Sequence, residues 1–226
     1  MKTKGLLLVL IFLFVALLGR PLRADGFIVI TQPVHVPVGH FSFAPLEVSY
    51  HHVDVKIDGP ICTTTVDEEF YNPNPQVLEG TYLFPVPKNA QIDKFSMQIG
   101  GKDVAAELLD ATKARGIYEE IVRRRLDPAL MEYADRSVFK VRIFPIESMG
   151  RKQVRIVYTE VLKADGGLIS YTYPLNTEKF SSALIHDVSV RVEIASDQPI
   201  HSIYSPTHDV EITHTDSMHA TVGYEA

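Results

Sequence analysis

Short runs of alternating apolar and polar residues dominate the chain from Glu47 onward. Val53, Val55 and Ile57 alternate with Asp54 and Lys56, Asp58-Gly59-Pro60 supplies turn chemistry, and Cys62, Thr64, Val66 and Phe70 continue the alternation. Successive side chains of a strand point to opposite faces, so two such runs around a Gly-Pro turn predict an antiparallel pair. Asn72-Pro73-Asn74-Pro75 then breaks the strand, because proline cannot donate to a ladder and pre-sets its own φ for a turn. Tyr82 and Phe84 resume an extended run that Pro85 and Pro87 stop. Phe95, Met97 and Ile99 form another, and Gly100-Gly101 reads as a hairpin turn toward Val104.

The same period returns in Phe139, Val141 and Ile143, then in Val154, Ile156 and Tyr158 beyond Gly150. It continues in Ile169, Tyr171 and Tyr173 beyond Asp165-Gly166-Gly167, and finally in Val188, Val190, Val192 and Ile194. One segment departs from it. Asp110 to Arg125 lacks proline, Asp110 suits an N-cap, and Ala114, Ile117, Tyr118 and Ile121 fall at i, i+3, i+4 and i+7, one stripe of a helix. Asp127-Pro128 ends it or restarts it as a short second turn through Ala129, Leu130 and Met131. Many short strands separated by Gly, Pro and Asn turns favour a sandwich over an α/β sheet. The expected fold class is mainly β: an antiparallel β-sandwich with one principal α-helix inserted at about Asp110 to Arg125.

The amino terminus changes the picture of where the chain works. Lys2 and Lys4 precede an unbroken apolar run from Leu6 to Leu18, too short for a comfortable membrane span, which reads as an export signal with cleavage after Ala24. Leu22 stands where a small residue is preferred and Arg20 and Arg23 follow the run, so an uncleaved anchor remains the alternative. The membrane enters only through that segment. Expected localisation is exported: periplasmic, secreted or anchored.

Composition adds limits. The 226 residues suffice for one main core with a flanking segment, and 46% hydrophobic with 22% charged residues fits a globular chain rather than a disordered one. A formal charge of −6 gives no electrostatic reason to bind the nucleic-acid backbone. The single cysteine, Cys62, has no partner for a disulfide and too few companions for a zinc site; its place in an alternating run makes it an inward-facing, inert thiol.

The run from Thr63 to Pro87, T-T-T-V-D-E-E-F-Y-N-P-N-P-Q-V-L-E-G-T-Y-L-F-P-V-P, resembles the VIT (vault protein inter-alpha-trypsin) domain, in which F-x-N-P is followed by E-G-x-Y-x-F-P-x-P. Phe70, Asn72, Pro73, Glu79, Gly80, Tyr82, Phe84, Pro85 and Pro87 stand in that pattern. The resemblance continues through Phe95 to Gly100, Ala114 and Tyr118, and Phe139 to Ile143, and on to Gly150 and Tyr158, covering roughly Phe41 to Leu175. These residues read as structural. Phe70, Tyr82 and Phe84 suit the sandwich interior, and Asn72 with Pro73 fixes the turn that registers neighbouring strands. Gly80 marks a backbone geometry that a side chain would forbid, and Glu79 bonds to a neighbouring loop or, alternatively, the pair belongs to a ligand site.

The resemblance implies a domain organisation: 1–24 signal peptide or anchor, 25–45 extended lead-in, 46–176 VIT domain, and 177–226 a C-terminal β segment or connector. In secreted bacterial relatives and inter-alpha-trypsin inhibitor heavy chains, a von Willebrand factor A domain with a metal-ion-dependent adhesion site follows. Its D-x-S-x-S motif is absent here; Asp187-Val188-Ser189-Val190-Arg191 ends in arginine within an expected strand.

Catalytic signatures are missing too. There is no G-x-S-x-G elbow, no H-E-x-x-H, and Gly100-Gly101-Lys102 lacks the earlier glycine and the hydroxyl of a phosphate loop. Of nine histidines, His51 and His52 are adjacent on a strand and point to opposite faces, and His208, His214 and His219 could meet only through tertiary folding. Scattered surface histidines are expected, and Arg123-Arg124-Arg125 complements a helix C-terminus or, alternatively, forms a patch for an acidic partner. The chain is therefore expected to be no enzyme, to need no cofactor or metal, and to act as an exported protein-interaction or scaffold module of the cell envelope. Its expected partner is a protein, a von Willebrand factor A domain in cis or in trans being the candidate. Two alternatives stand beside this: a truncated remnant of a longer VIT protein, and a sandwich that binds a small ligand or catalyses a reaction at a pocket near Glu79, Asp93 or the histidines.

Overall fold

In the computed structural model, which describes residues 27–31, 43–87, 89–105, 137–175, 185 and 187–226, strands and turns make up the fold. The strands are β1 (Phe27–Thr31), β2 (Glu47–Asp58), β3 (Ile61–Tyr71), β4 (Leu78–Val86), β5 (Gln91–Ile99), β6 (Lys102–Ala105) and β7 (Ser137–Ile146). After them come β8 (Arg151–Val161), β9 (Ala164–Asp165), β10 (Leu168–Ile169), β11 (Val188–Ala195), β12 (Glu211–His214) and β13 (His219–Glu225). Eight form one sheet in the order β12-β13-β11-β2-β3-β8-β5-β6, three form a second in the order β1-β4-β7, and β9 with β10 makes a small hairpin.

The alternation places the faces as expected. Val53 pairs with Val66 and Val55 with Thr64 across β2 and β3, while Thr64 pairs with Tyr158 and Val66 with Ile156 across β3 and β8. All six are buried, whereas Asp54 and Lys56 between them are exposed. The second sheet brings Tyr82 opposite Val141 and Phe84 opposite Phe139. Aromatic rings then join the two layers: Phe70 meets Tyr82 edge-on at 6.3 Å, and Tyr82 lies 5.7 Å from Phe95. Phe84 lies 5.9 Å from Tyr158, and Phe95 lies 5.3 Å from Phe139. Ring pairs at these separations add an electrostatic preference to the area they bury.

Glycines sit where the turns need them. Gly100 and Gly101 have φ of 59° and 75°, and Gly166 and Gly167 have 59° and 85°, so each pair closes a two-residue hairpin with both central residues left-handed. Such turns match the twist of the flanking strands, and any side chain there would be strained.

Three features differ from the sequence expectation. The sandwich is not antiparallel throughout, because β11 runs parallel to β2 with Val190 opposite Val53 and Val192 opposite Val55. Alternation reports a strand but not its direction, and the stretch after β8 is long enough for the crossover a parallel neighbour requires. Residues 27–31, within the expected lead-in, form β1 and pair antiparallel with β4. The expected strand over Ile169, Tyr171 and Tyr173 stops at Ile169; the two tyrosines instead direct their hydroxyls into the body, and Pro174 offers no donor. The helix expected at Asp110 to Arg125, with Tyr118 and Arg123-Arg124-Arg125, and the N-terminal signal lie outside the described residues.

Candidate functional site

A connected set of ionisable side chains lies inside the sandwich. Glu68 occupies an inward position of β3 between Val66 and Phe70, and His51 is its register partner on β2. They are 1% and 0% exposed. The Tyr82 hydroxyl on β4 donates to Glu68 Oε2 at 2.5 Å, and His51 Nδ1 lies 2.9 Å from Glu68 Oε1. On its other side His51 Nε2 lies 2.8 Å from the hydroxyl of Tyr173. A hydrogen-bonded chain Tyr82, Glu68, His51, Tyr173 thus runs from the second sheet along the inward face of the large one. Buried polar groups are tolerable only when paired in this way.

A second internal contact runs parallel to it. Thr64 Oγ1 on β3 lies 2.9 Å from the Tyr171 hydroxyl, and Cys62 Sγ lies 4.0 Å from Thr64. Burial raises the Cys62 thiol to about 11 and pushes the Tyr171 hydroxyl well up. Cys62 is therefore a packed, inward-facing thiol. Tyr171 and Tyr173, two residues apart on an extended segment, thus both reach across to the face of the large sheet.

One end of the sandwich is closed by the Asn72-to-Pro75 turn. Buried Asn72 donates through Nδ2 to the carbonyls of Gln76 and Glu147, each at 2.9 Å, with Ile146 O at 3.3 Å. Its Oδ1 accepts from the Asn74 backbone at 3.0 Å and from Asn74 Nδ2 at 2.9 Å. Asn74 pairs in turn with Ala44 through both N–H and C=O, each at 2.9 Å. Pro73 holds the backbone between these two side chains, so three chain segments are tied at one point.

Glu79 forms an ion pair with Arg142 across β4 and β7, on strands rather than on a loop, and that hydrogen bond lowers its carboxyl below the usual range. Gly80 is needed for close approach. A Cβ there would collide with Ile28 Cγ2 on β1 and lie 3.3 Å from both Ile146 Cδ1 and Val29 O. Pro85 and Val86 end β4, and Pro87 follows it. Phe70, Tyr82, Phe84, Phe139 and Tyr158 all meet in the core.

The outer face of the large sheet carries its own polar cluster. Asp67 accepts from Tyr50 at 3.0 Å, from Gln153 at 2.8 and 3.0 Å, and from Arg155 Nε at 3.0 Å. Burial works against the Asp67 charge, but the hydrogen bonds from Gln153, Arg155 and Tyr50 outweigh it and lower the carboxyl pKa. His52 points outward, stacks on Tyr50 at 4.5 Å and meets Asp187 Oδ1 at 2.7 Å.

The expectation of scattered surface histidines therefore fails at His51, which is sealed in the core because Glu68 and Tyr173 satisfy both ring nitrogens. His208 packs edge-on against Tyr224 and His219 pairs with Asp216; among the described residues no three metal-ligating side chains converge. Asp93 accepts from Thr159 at 2.6 Å. Glu68, His51, Asn74 and Tyr173 were not singled out from the sequence as a set. The parity of β3 was the available signal, since Glu68 shares it with Thr64, Val66 and Phe70.

Comparison with known proteins assigns this architecture. Residues 48–158 match the family described as the vault protein inter-alpha-trypsin domain. The mouse von Willebrand factor A domain-containing protein 5A is 26% identical over 125 residues, 54% of this chain and 16% of that protein. The mouse protein mono-ADP-ribosyltransferase PARP4 is 22% identical over 130 residues, 58% of this chain and 7% of that protein. The chain thus spans a small part of the length of the curated relatives it matches. Among solved structures, a Legionella pneumophila protein named for nutrient binding shares the fold with a TM-score of 0.52 at 14% identity, covering 90% of this chain and 68% of that one. Residues 48–158, with the Asn72 turn, the Glu79-Gly80 strand and the aromatic core, are a vault protein inter-alpha-trypsin domain.

Proposed function

We propose that the chain is a non-catalytic protein-interaction module that works from its outer surface after export to the cell envelope. One observation carries the reading: His51 and Glu68, a histidine–carboxylate pair of the kind acid-base chemistry uses, are sealed in the core and bonded to Tyr82 and Tyr173, where no substrate reaches them. Catalysis needs such groups at a concave, accessible place. The family motif residues serve the fold in the same way, which leaves the two sheet surfaces and their edges as the working parts.

Export rests on Lys2, Lys4 and the apolar run from Leu6 to Leu18. The relatives named for a von Willebrand factor A domain make such a domain the first partner to test, joined in one chain or supplied by another. The test is affinity capture from envelope extract of the producing cells with the purified chain, read by mass spectrometry. A partner retained above a matched control is expected; recovery of nothing beyond that control contradicts the reading.

A further inference from the structure

One inward hydroxyl is left over from the pairings that satisfy the rest of the core. Tyr158 on β8 is 0% exposed, its register partner on β3 is Thr64, and its hydroxyl has no hydrogen-bond partner among the described residues. Tyr82, in the same aromatic core, shows the contrast. Its hydroxyl donates to Glu68, whereas the Tyr158 ring packs 5.9 Å from Phe84 with its oxygen unpaired. A buried hydroxyl in that state bears the full cost of leaving water.

The neighbouring side chains define what this oxygen meets. Thr64 Oγ1 lies 2.9 Å from the Tyr171 hydroxyl, and both groups bear on the Tyr158 phenol without reaching the geometry of a direct hydrogen bond. Three hydroxyls carry three hydrogens, of which the contact between Thr64 and Tyr171 uses one. Cys62 Sγ, 4.0 Å from Thr64, adds only a weak partner. Two O–H hydrogens and several lone pairs are therefore gathered at one buried place, on β3, β8 and the segment after β10.

The chemistry of these groups narrows the ligand. Burial raises the phenols of both Tyr158 and Tyr171 above their ordinary value, so neither offers an anionic oxygen to a cation. The negative field of Glu160 at Tyr158 disfavours an anion. A neutral molecule that donates and accepts at once is what three hydroxyls fit, and a buried water bonds to two to four such groups. Immobilising a typical ordered water costs less than leaving a buried hydroxyl unpaired.

We propose that Tyr158 Oη, Thr64 Oγ1 and Tyr171 Oη form a binding site for one internal water molecule. This water gives Tyr158 the partner that Glu68 gives Tyr82, and it fastens the Tyr171 segment to β8 as well as to β3. The site lies inside the sandwich and is independent of any partner held on the outer surface.

A crystal structure of the full chain at a resolution that shows ordered water tests the site, together with water–protein NOE measurements in solution. One water within about 3 Å of Tyr158 Oη and of Thr64 Oγ1 or Tyr171 Oη is expected. The Tyr158 ring protons should show an NOE to water with the sign of a long-lived bound molecule, and Tyr158→Phe should lose both the water and the NOE. A Tyr158 hydroxyl bonded directly to Thr64 or Tyr171 with no water beside it overturns the site, as does a hydroxyl that stays unpaired. Water that persists undiminished in Tyr158→Phe belongs to the other two hydroxyls and also overturns it. Should that variant fail to fold, the wild-type crystal and NOE decide on their own.

Discussion

Glu68 on β3 accepts a 2.5 Å hydrogen bond from the hydroxyl of Tyr82 on β4, and this contact ties the two sheets together through their shared core. Tyr82 belongs to the family motif, while Glu68 and its partner His51 do not; the tyrosine contributes its hydroxyl as well as its ring. Tyr82→Phe retains the packing but leaves a buried carboxylate oxygen without its donor. Urea unfolding should show a loss of ~1–3 kcal/mol, and His51→Phe a loss of the same order. A Tyr82→Phe chain as stable as wild type would show that the hydroxyl contributes nothing.

At the closed end, Asn72 presents two N–H groups to three backbone carbonyls and its Oδ1 to two donors of Asn74. Asn72→Ala should lower stability by ~2–4 kcal/mol, since several buried groups lose partners at once. Asn72→Asp should be worse at neutral pH, because it sets a negative oxygen against the carbonyls of Gln76, Ile146 and Glu147. Equal losses for the two substitutions, measured by thermal unfolding, would contradict the assigned hydrogen bonds.

Gly80 lets β1 lie against β4. Gly80→Ala places a methyl group against Ile28 and should cost ~1–3 kcal/mol. Ile28→Ala should relieve most of that cost, giving a favourable coupling in a double-mutant cycle. Additive losses would mean that the two residues do not meet.

Much of this was legible in the sequence, and the limits have physical causes. Val53, Val55 and Ile57 showed their inward face because Asp54 and Lys56 mark the wet one, and Gly100-Gly101 announced its hairpin. β4 gave no alternation because it is buried along nearly its whole length, so Leu83 and Phe84 are both sealed. The parallel place of β11 and the meeting of His51 with Tyr173 depend on contacts far apart along the chain, which no local pattern records. Glu68 had the right parity, but an acidic residue in an apolar row reads as an exception until its partners are seen.

The Asp67 cluster sets part of the acid response. Hydrogen bonds from Gln153, Arg155 and Tyr50 hold its folded pKa below the unfolded value, so it adds stability above that unfolded value and loses it as pH falls through the folded one. Glu160 works oppositely: burial raises its pKa, so its ionisation weakens the fold as pH rises past the unfolded value. Below about pH 4 the wild-type thermal midpoint should fall more steeply than that of Asp67→Asn, and Glu160→Gln should be more stable than wild type at neutral pH. Parallel curves for wild type and Asp67→Asn would remove Asp67 from the acid response.

Cys62 is sealed in the core with its thiol raised to about 11. A maleimide should leave it unmodified in buffer at neutral pH and label it fully in denaturant. Rapid labelling of the folded chain would place the thiol at the surface.

In the proposed module the family motif builds the sandwich and recognition happens on its outside. The direct measurement is the amount of captured partner retained per folded molecule by the Tyr82→Phe and Asn72→Ala chains, taken below their melting temperatures. Retention equal to wild type is expected, since only stability should change; loss of capture by a chain that remains folded would place these residues in the binding site and contradict the account.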